Sequence, residues 1–172
     1  MIKLLGAAMV VASGGIGGMT VAGRYSRRPR ELKSLGHALQ MLETEISYGA
    51  NYLQIALEQV AGRCDWAVAP LFSQAAAELS SNTGITAAQA WENSLAAYYR
   101  DSALNGQDLI ILRSLGSSLG ISDRTDQVKH LHLAMEQIKS ENARAEEEAA
   151  RNVKLWNHLG FLGGLLVVLV LY

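Results

Sequence analysis

Residues 32–46, LKSLGHALQMLETEI, carry the pattern that decides the fold. Their apolar side chains recur at steps of three and four residues, and only an α-helix aligns such steps on one face. This stripe consists of Leu32, Leu35, Leu39, Leu42 and Ile46. Pro29 lies just ahead, where the first turn of a helix tolerates proline, and Gly49 is a typical residue at a helix end. The stretch therefore predicts an amphipathic helix.

The same periodicity recurs along the chain, and it predicts five further helices joined by short connections. Their expected extents are Leu53 to Gly62, Pro70 to Leu79, a helix capped by Thr86 and carrying Trp91, Leu95 and Tyr98, Leu109 to Gly120, and Ser122 or Asp123 onward. The chain has 2 prolines in 172 residues and no alternating β-branched run, so strands are disfavoured. The prediction is an all-α fold, an antiparallel six-helix bundle.

Both ends of the chain are strongly apolar. Residues 4–23 contain no charge, and residues 159–172 contain nothing polar except the final tyrosine hydroxyl. About 20 helical residues cross a bilayer core, so residues 1–23 and 155–172 are predicted to be transmembrane helices. Small residues that let such helices pack, or let the chain self-associate, are Gly14, Gly18, Gly160 and Gly164.

Basic residues flank these segments and predict the topology. The first segment is followed by a collar, residues 24–33, that contains Arg24, Arg27, Arg28, Arg30 and Lys33. Positive flanks stay on the cytoplasmic side, so residues 24–154 should be cytoplasmic, with both termini outside and the collar facing anionic lipid headgroups. The alternative is a signal segment, cleaved or not, before a translocated helical domain that binds an extracytoplasmic partner. The basic cluster opposes that alternative.

The last predicted helix changes character part-way along. Val128, Leu131, Met135 and Ile138 keep heptad spacing, and a run of Glu, Arg and Ala follows. A helix that is polar all round does not pack in a core. Residues 140–152 are therefore expected to form an exposed helical strut of about 20 Å that leads into the second apolar segment and sets the distance between body and bilayer.

The charges and reactive side chains indicate a binding protein. Residues 34–154 hold 9 basic and 15 acidic residues, a net charge of −6, which disfavours nucleic acid and favours a basic protein face. His132 and Glu136 have the spacing of half a metal site, but no second pair accompanies them. Cys64 could be a reactive thiol, but no base partner is evident. We predict no catalytic residue, metal or cofactor; a small membrane enzyme remains an alternative that lacks convergent polar groups.

Several short motifs together resemble one protein family over nearly the whole chain. They are Leu42-Glu43-x-Glu45-Ile46-x-Tyr48-Gly49, Leu53-x-x-Ala56-Leu57, Trp91, Leu112-x-x-Leu115-Gly116-x-x-Leu119-Gly120 with Asp123, and Leu159-Gly160-Phe161-Leu162-x-Gly164. The chain resembles stage III sporulation protein AB, and its body is similar to the cytoplasmic domains of type II secretion and type IV pilus platform proteins. Where that family has Tyr-Gly-x-Thr-Pro-Leu, this chain has Tyr-Gly-Ala-Asn-Tyr-Leu at residues 48–53, so Asn51 is expected to cap the second helix.

The resemblance implies a non-enzymatic platform of the channel complex between mother cell and forespore. It implies a location in the mother-cell membrane that faces the forespore. The implied partners are a cytoplasmic sporulation ATPase and other membrane components of the stage III complex. The residues expected to meet a partner are Glu43, Glu45, Tyr48 and Asp123.

Overall fold

The computed structural model describes residues 26–48, 52–81, 84–120 and 123–171, the stretch 153–171 by its backbone alone. The described residues form six helices and no strand, which confirms the all-α prediction. The helices are α1 (Arg27–Tyr48), α2 (Leu53–Arg63), α3 (Ala69–Ser80), α4 (Ala87–Tyr99), α5 (Gly106–Gly116) and α6 (Arg124–Leu171). Each lies close to its predicted position, because the apolar stripes and the residues at helix ends were both visible in the sequence.

The chain divides into two compact units. Arg30–Asn142 form one, here named the central unit, and Met1–Pro29 with Ala143–Tyr172 form the other, the terminal unit. In the central unit α2 packs against α3, α3 against α4, and α4 against α5. The chain enters this unit along α1 and leaves it along α6.

The central unit encloses one apolar core. All five residues of the α1 stripe are buried, four of them completely. The ring of Phe72 meets that of Trp91 edge-on, with centroids 5.8 Å apart, and the Trp91 indole Nε1 donates a hydrogen bond to the Leu112 carbonyl at 2.8 Å. Burial of each such apolar side chain contributes about 1.5–3 kcal/mol. The prediction that Trp91 belongs to the core is confirmed.

Two contacts within the central unit place α1 and α6 side by side. A Cβ built on Gly36 would lie 4.0 Å from Ile138, and Glu43 Oε1 lies 3.1 Å from His132 Nε2. Because the earlier residue of α1 meets the later residue of α6, the two helices run antiparallel here. The chain therefore enters and leaves the central unit at the same end.

Local hydrogen bonds explain where the helices begin. Thr86 and Gln89 form the predicted cap of α4 as a capping box, and the Asp123 carboxylate accepts a bond from the Asp126 amide at 2.8 Å at the start of α6. The prediction for α2 was wrong, since its N-cap is Tyr52 and not Asn51. Tyr52 contributes no side-chain cap bond, so extended backbone geometry alone begins this helix.

The expectation of a fully exposed strut at residues 140–152 needs correction. The stretch is helical, and most of its side chains are exposed. However, Ala145 and Ala149 are only 3% and 9% exposed, and Glu141 is 7% exposed. The heptad seam does not stop at Ile138; it continues in small side chains, because alanine fills a buried position as readily as it decorates a surface.

The membrane prediction falls largely outside the described residues. Residues 1–23, with Gly14 and Gly18, are not described, and Gly160 and Gly164 lie where only the backbone of α6 is described. The helix α6 does continue without interruption from Arg124 to Leu171, as expected. Within the part of the chain that the structure describes with side chains, no helix combines the length and hydropathy of a membrane span.

Candidate docking surface

The predicted partner-binding residues Glu43, Glu45 and Tyr48 lie on the last two turns of α1, beside α2. Glu45 is held from the α2 side: the Arg63 guanidinium lies 3.3 Å from one of its oxygens. The Gln59 amide nitrogen, in the orientation that satisfies both of its polar atoms, lies 3.0 Å from both. These bonds fix α2 against α1, and we call the pair the α1–α2 hairpin.

Glu43 points to the opposite side of α1. Its carboxylate is 22% exposed and contacts His132 of α6, as described above. Glu43 and Glu45 are two positions apart on a helix and therefore face different neighbours. Both acids hold helices of the body together, a role that their sequence motif did not reveal.

The hairpin also carries four of the seven large apolar side chains that are exposed among the described residues. The large apolar side chains that remain exposed are Met41, Tyr48, Tyr52, Ile55, Trp66, Ile110 and Leu133. The first four lie on the α1–α2 hairpin, and we name them the hairpin patch. Tyr48 and Tyr52 are 88% and 83% exposed, so they lie almost entirely in solvent. Large apolar side chains exposed close together in the chain are typical of interaction sites.

Asp123 has a local role. It caps α6, and its backbone carbonyl accepts the Gln127 amide at 3.0 Å. An acid at a helix N-terminus also interacts favourably with the helix dipole. Asp123 therefore has a structural role at the start of α6 that does not involve a partner.

The basic collar divides into two kinds of residue. Arg27, Arg30 and Lys33 are exposed in the first turns of α1. Arg28 lies in the terminal unit with its side chain 14% exposed, 3.8 Å from Glu148 of α6. Arg24 lies outside the described residues. Of the described collar residues, Arg27, Arg30 and Lys33 are therefore better candidates than Arg28 for contact with anionic headgroups.

One buried polar cluster was missed by the sequence analysis. Glu31, 7% exposed, accepts hydrogen bonds from the Tyr98 hydroxyl and, at 2.9 Å, from the Ala103 amide. Burial, followed by the bond to Glu31, raises the pKa of Tyr98 above that of an exposed phenol. The cluster connects the first turns of α1 to the end of α4. Its members are 67 and 72 positions apart in sequence, so no local pattern could have indicated it.

The structure also shows the surroundings of the side chains that the sequence suggested as metal ligands or as a reactive thiol. No group of three or more His, Cys, Asp or Glu side chains in the described stretches could hold a metal ion. Cys64 is half-buried, and burial raises the pKa of its thiol, which disfavours the reactive thiolate. The described body is thus helical, and its α1–α2 hairpin exposes two tyrosines.

Comparison of the sequence with known proteins finds similarity over nearly the whole chain. The profile described as stage III sporulation protein AB (spore_III_AB) matches residues 3–172. A protein of Bacillus subtilis (strain 168) with that name is 39% identical over 171 residues, 99% of both chains. The chain belongs to the stage III sporulation protein AB family. This confirms the resemblance and places the chain among sporulation proteins.

A solved structure of stage III sporulation protein AB shows a similar fold. It aligns with a TM-score of 0.67 and 35% identity, over 72% of this chain and 97% of its own. The family therefore shares the helical bundle as well as the sequence pattern. The names of these relatives describe sporulation proteins and no enzyme.

Proposed function

We propose that this stage III sporulation protein is a non-enzymatic platform of the channel complex between mother cell and forespore. In this proposal residues 1–23 and 155–172 hold it in the mother-cell membrane that faces the forespore. The helical body between them lies in the cytoplasm and docks a sporulation ATPase. The observation that carries the proposal is the family match, which includes both apolar ends as well as the body.

The chemistry of the described body favours binding over catalysis. Its deeply buried polar groups serve the fold: Glu31 connects α1 to the end of α4, and Asp108 belongs to the capping box that begins α5. Groups that act on a substrate must converge on a space that the substrate can enter. Here Glu31, Tyr98 and Asp108 face one another or the backbone, which suits a protein that positions others.

Charge supports a cytoplasmic protein partner. With 9 basic and 15 acidic residues in 34–154, the body has a net charge of −6, while the collar has an excess of basic residues. An acidic body attracts a basic protein face and repels nucleic acid. A basic collar suits the anionic leaflet on the cytoplasmic side.

Topology is the first test of the proposal. A reporter that is active only outside the cytoplasm should be silent when fused after Tyr99, because the basic flanks keep the body inside. The same reporter fused to a secreted domain is the positive control. Activity after Tyr99 comparable with that control would contradict the proposal and favour the translocated domain.

Association with the ATPase is the second test. The full-length protein in nanodiscs should bind the purified ATPase, and the affinity should fall as salt rises, because screening weakens contacts between charged surfaces. Empty nanodiscs with the same lipids control for binding to the bilayer. Equal binding to empty and loaded nanodiscs would contradict the docking role.

A further inference from the structure

We infer that the hairpin patch, Met41, Tyr48, Tyr52 and Ile55, is the surface on which the cytoplasmic partner docks. The occupant it fits is a protein face with an apolar socket bordered by Lys or Arg. This inference rests on the proposed function, in which that partner is the sporulation ATPase, and it names the surface that the ATPase would contact.

Exposure is the first argument. Tyr48 and Tyr52 are 88% and 83% exposed, and two such rings present about 300 Å² to solvent, given the 150–250 Å² that an aromatic residue can bury. Tyrosine combines a large apolar body with a polar tip and is enriched at the energetic centre of interfaces. Met41 and Ile55, 36% and 37% exposed, add apolar surface on the same two helices.

Charge is the second argument, and it selects the partner. Residues 34–62 contain Glu43, Glu45 and Glu58 and no Lys or Arg. The nearest cation of α2, Arg63, is occupied by Glu45. Glu58 is exposed on the outer side of α2. Since Glu43 contacts His132 and Glu45 contacts Arg63, Glu58 is the acid that gives this surface its negative charge. Such a charge attracts a basic face and disfavours an acidic one.

Position and rigidity are the third argument. Tyr48 ends α1, 18 residues beyond Arg30, where the chain enters the central unit, which is about 27 Å along a helix. The patch is therefore at the end of α1 that lies away from the collar. Its framework is fixed by the Arg63 and Gln59 contacts to Glu45. A preorganised surface loses little conformational entropy when it binds.

Another exposed aromatic residue provides a matched control. Trp66 is 85% exposed and lies in the turn between α2 and α3, where the Ala67 amide donates to the Asp65 carboxylate at 2.9 Å. This turn follows the opposite end of α2 from Tyr52, and residues 63–66 carry both a base and an acid. Trp66 matches the tyrosines in exposure and size but not in location or local charge.

The experiment compares three variants of the full-length protein in nanodiscs, each titrated with the purified ATPase. Tyr48→Ala with Tyr52→Ala should weaken binding at least about tenfold, the loss expected when aromatic hot-spot residues are truncated. Trp66→Ala and the pair Ile110→Ala with Leu133→Ala should bind within about twofold of the wild type. Circular dichroism should show equal helicity for all of them, since every altered side chain is exposed.

A charge variant tests the same surface independently. Glu58→Gln should lower the affinity and reduce its dependence on salt, because it removes one attractive charge beside the patch. Glu136→Gln, which removes an exposed charge from α6, should change neither. These two substitutions alter no packing, so they remain informative even if the tyrosine variant were to misfold.

The outcomes separate this inference from the proposed function. Suppose that the wild type binds the ATPase and that the tyrosine pair and Glu58→Gln bind it equally well. The hairpin patch is then not the docking surface, although ATPase docking itself stands. A loss confined to Trp66→Ala places the partner at the other end of α2 and overturns the inference as well. A wild-type protein that does not bind the ATPase overturns the proposed function, and with it the ATPase as occupant of the patch.

Discussion

Gly116 allows α5 to approach Trp91 more closely than any larger residue would permit. A Cβ at this position would lie 2.2 Å from the Trp91 Cδ1. The indole cannot retreat easily, because it is 1% exposed and its nitrogen is bonded to the Leu112 carbonyl. The single missing side chain therefore sets the distance between α4 and α5.

The substitution Gly116→Ala should destabilise the protein by about 1–3 kcal/mol, the usual cost of overpacking a filled core. Thermal unfolding of the full-length chain in detergent, followed by circular dichroism, measures the effect. Gly62→Ala is the matched control: a Cβ there meets nothing within 4 Å, so alanine should leave stability equal or slightly higher. Equal stability of both variants would show that Trp91 can move aside.

Because of Tyr98, the stability of the folded protein should fall at alkaline pH. Burial, and then the bond to Glu31, raises its pKa above the ordinary value of about 10. Above that pH the unfolded chain releases the phenolic proton while the folded chain retains it. The unfolded state then binds fewer protons, so the free energy of unfolding falls as pH rises.

The substitution Tyr98→Phe should lower stability near pH 7 by about 1–3 kcal/mol, because the buried Glu31 carboxylate loses a donor. It should also reduce the further loss above about pH 10, since no phenol remains there to ionise. Unfolding curves at a series of pH values measure both effects. Tyr48→Phe should change neither, because Tyr48 is 88% exposed; an alkaline slope unchanged in Tyr98→Phe would contradict the assignment.

At the scale of elements, local signals were sufficient to predict the helices. The stripe of α1 and the Thr86 cap of α4 depend on neighbouring residues, and both were predicted. The Asn105 capping box of α5, whose Asn105 and Asp108 have the spacing of that motif, was visible in the sequence and was overlooked. The Glu31–Tyr98 bond was not predictable, because it depends on how distant helices pack. Docking at the α1–α2 hairpin stays a prediction.

The strut shows how composition misleads at this scale. Residues 140–152 are rich in Glu, Arg and Ala, a composition typical of exposed helices, yet Ala145 and Ala149 are buried. A small side chain gives no hydrophobic signal in the sequence, although it allows close approach of a neighbour. The buried seam was therefore hidden, and the exposed faces were predicted correctly.

The pair Ala145→Glu with Ala149→Glu should therefore destabilise the packing of α6, by about 1–3 kcal/mol for each buried carboxylate without a partner. The control pair is Ala143→Glu with Ala150→Glu, which are exposed on the same helix and should change stability by no more than about 0.5 kcal/mol. Limited proteolysis and thermal unfolding compare the two pairs. If both pairs behaved alike, the seam would not extend beyond Ile138.

At the scale of the whole molecule, Arg30–Asn142 form a compact unit of their own. A solved relative is matched over 97% of its own chain and over 72% of this one. The apolar ends, in contrast, are what would attach the body to a membrane. Attachment and folding should therefore be separable by deletion.

Deleting residues 1–23 and 155–172 together should release the protein into the soluble fraction, while deleting either segment alone should leave it in the membrane. One transmembrane helix suffices for stable insertion, whereas a basic collar alone binds a bilayer reversibly and is released by salt. Membranes washed at high salt and then at alkaline pH distinguish insertion from surface binding. Circular dichroism of the released body checks that it stays helical. If deletion of 155–172 alone releases the protein, residues 1–23 do not remain as an anchor, and the cleaved-signal alternative becomes the better explanation of that segment.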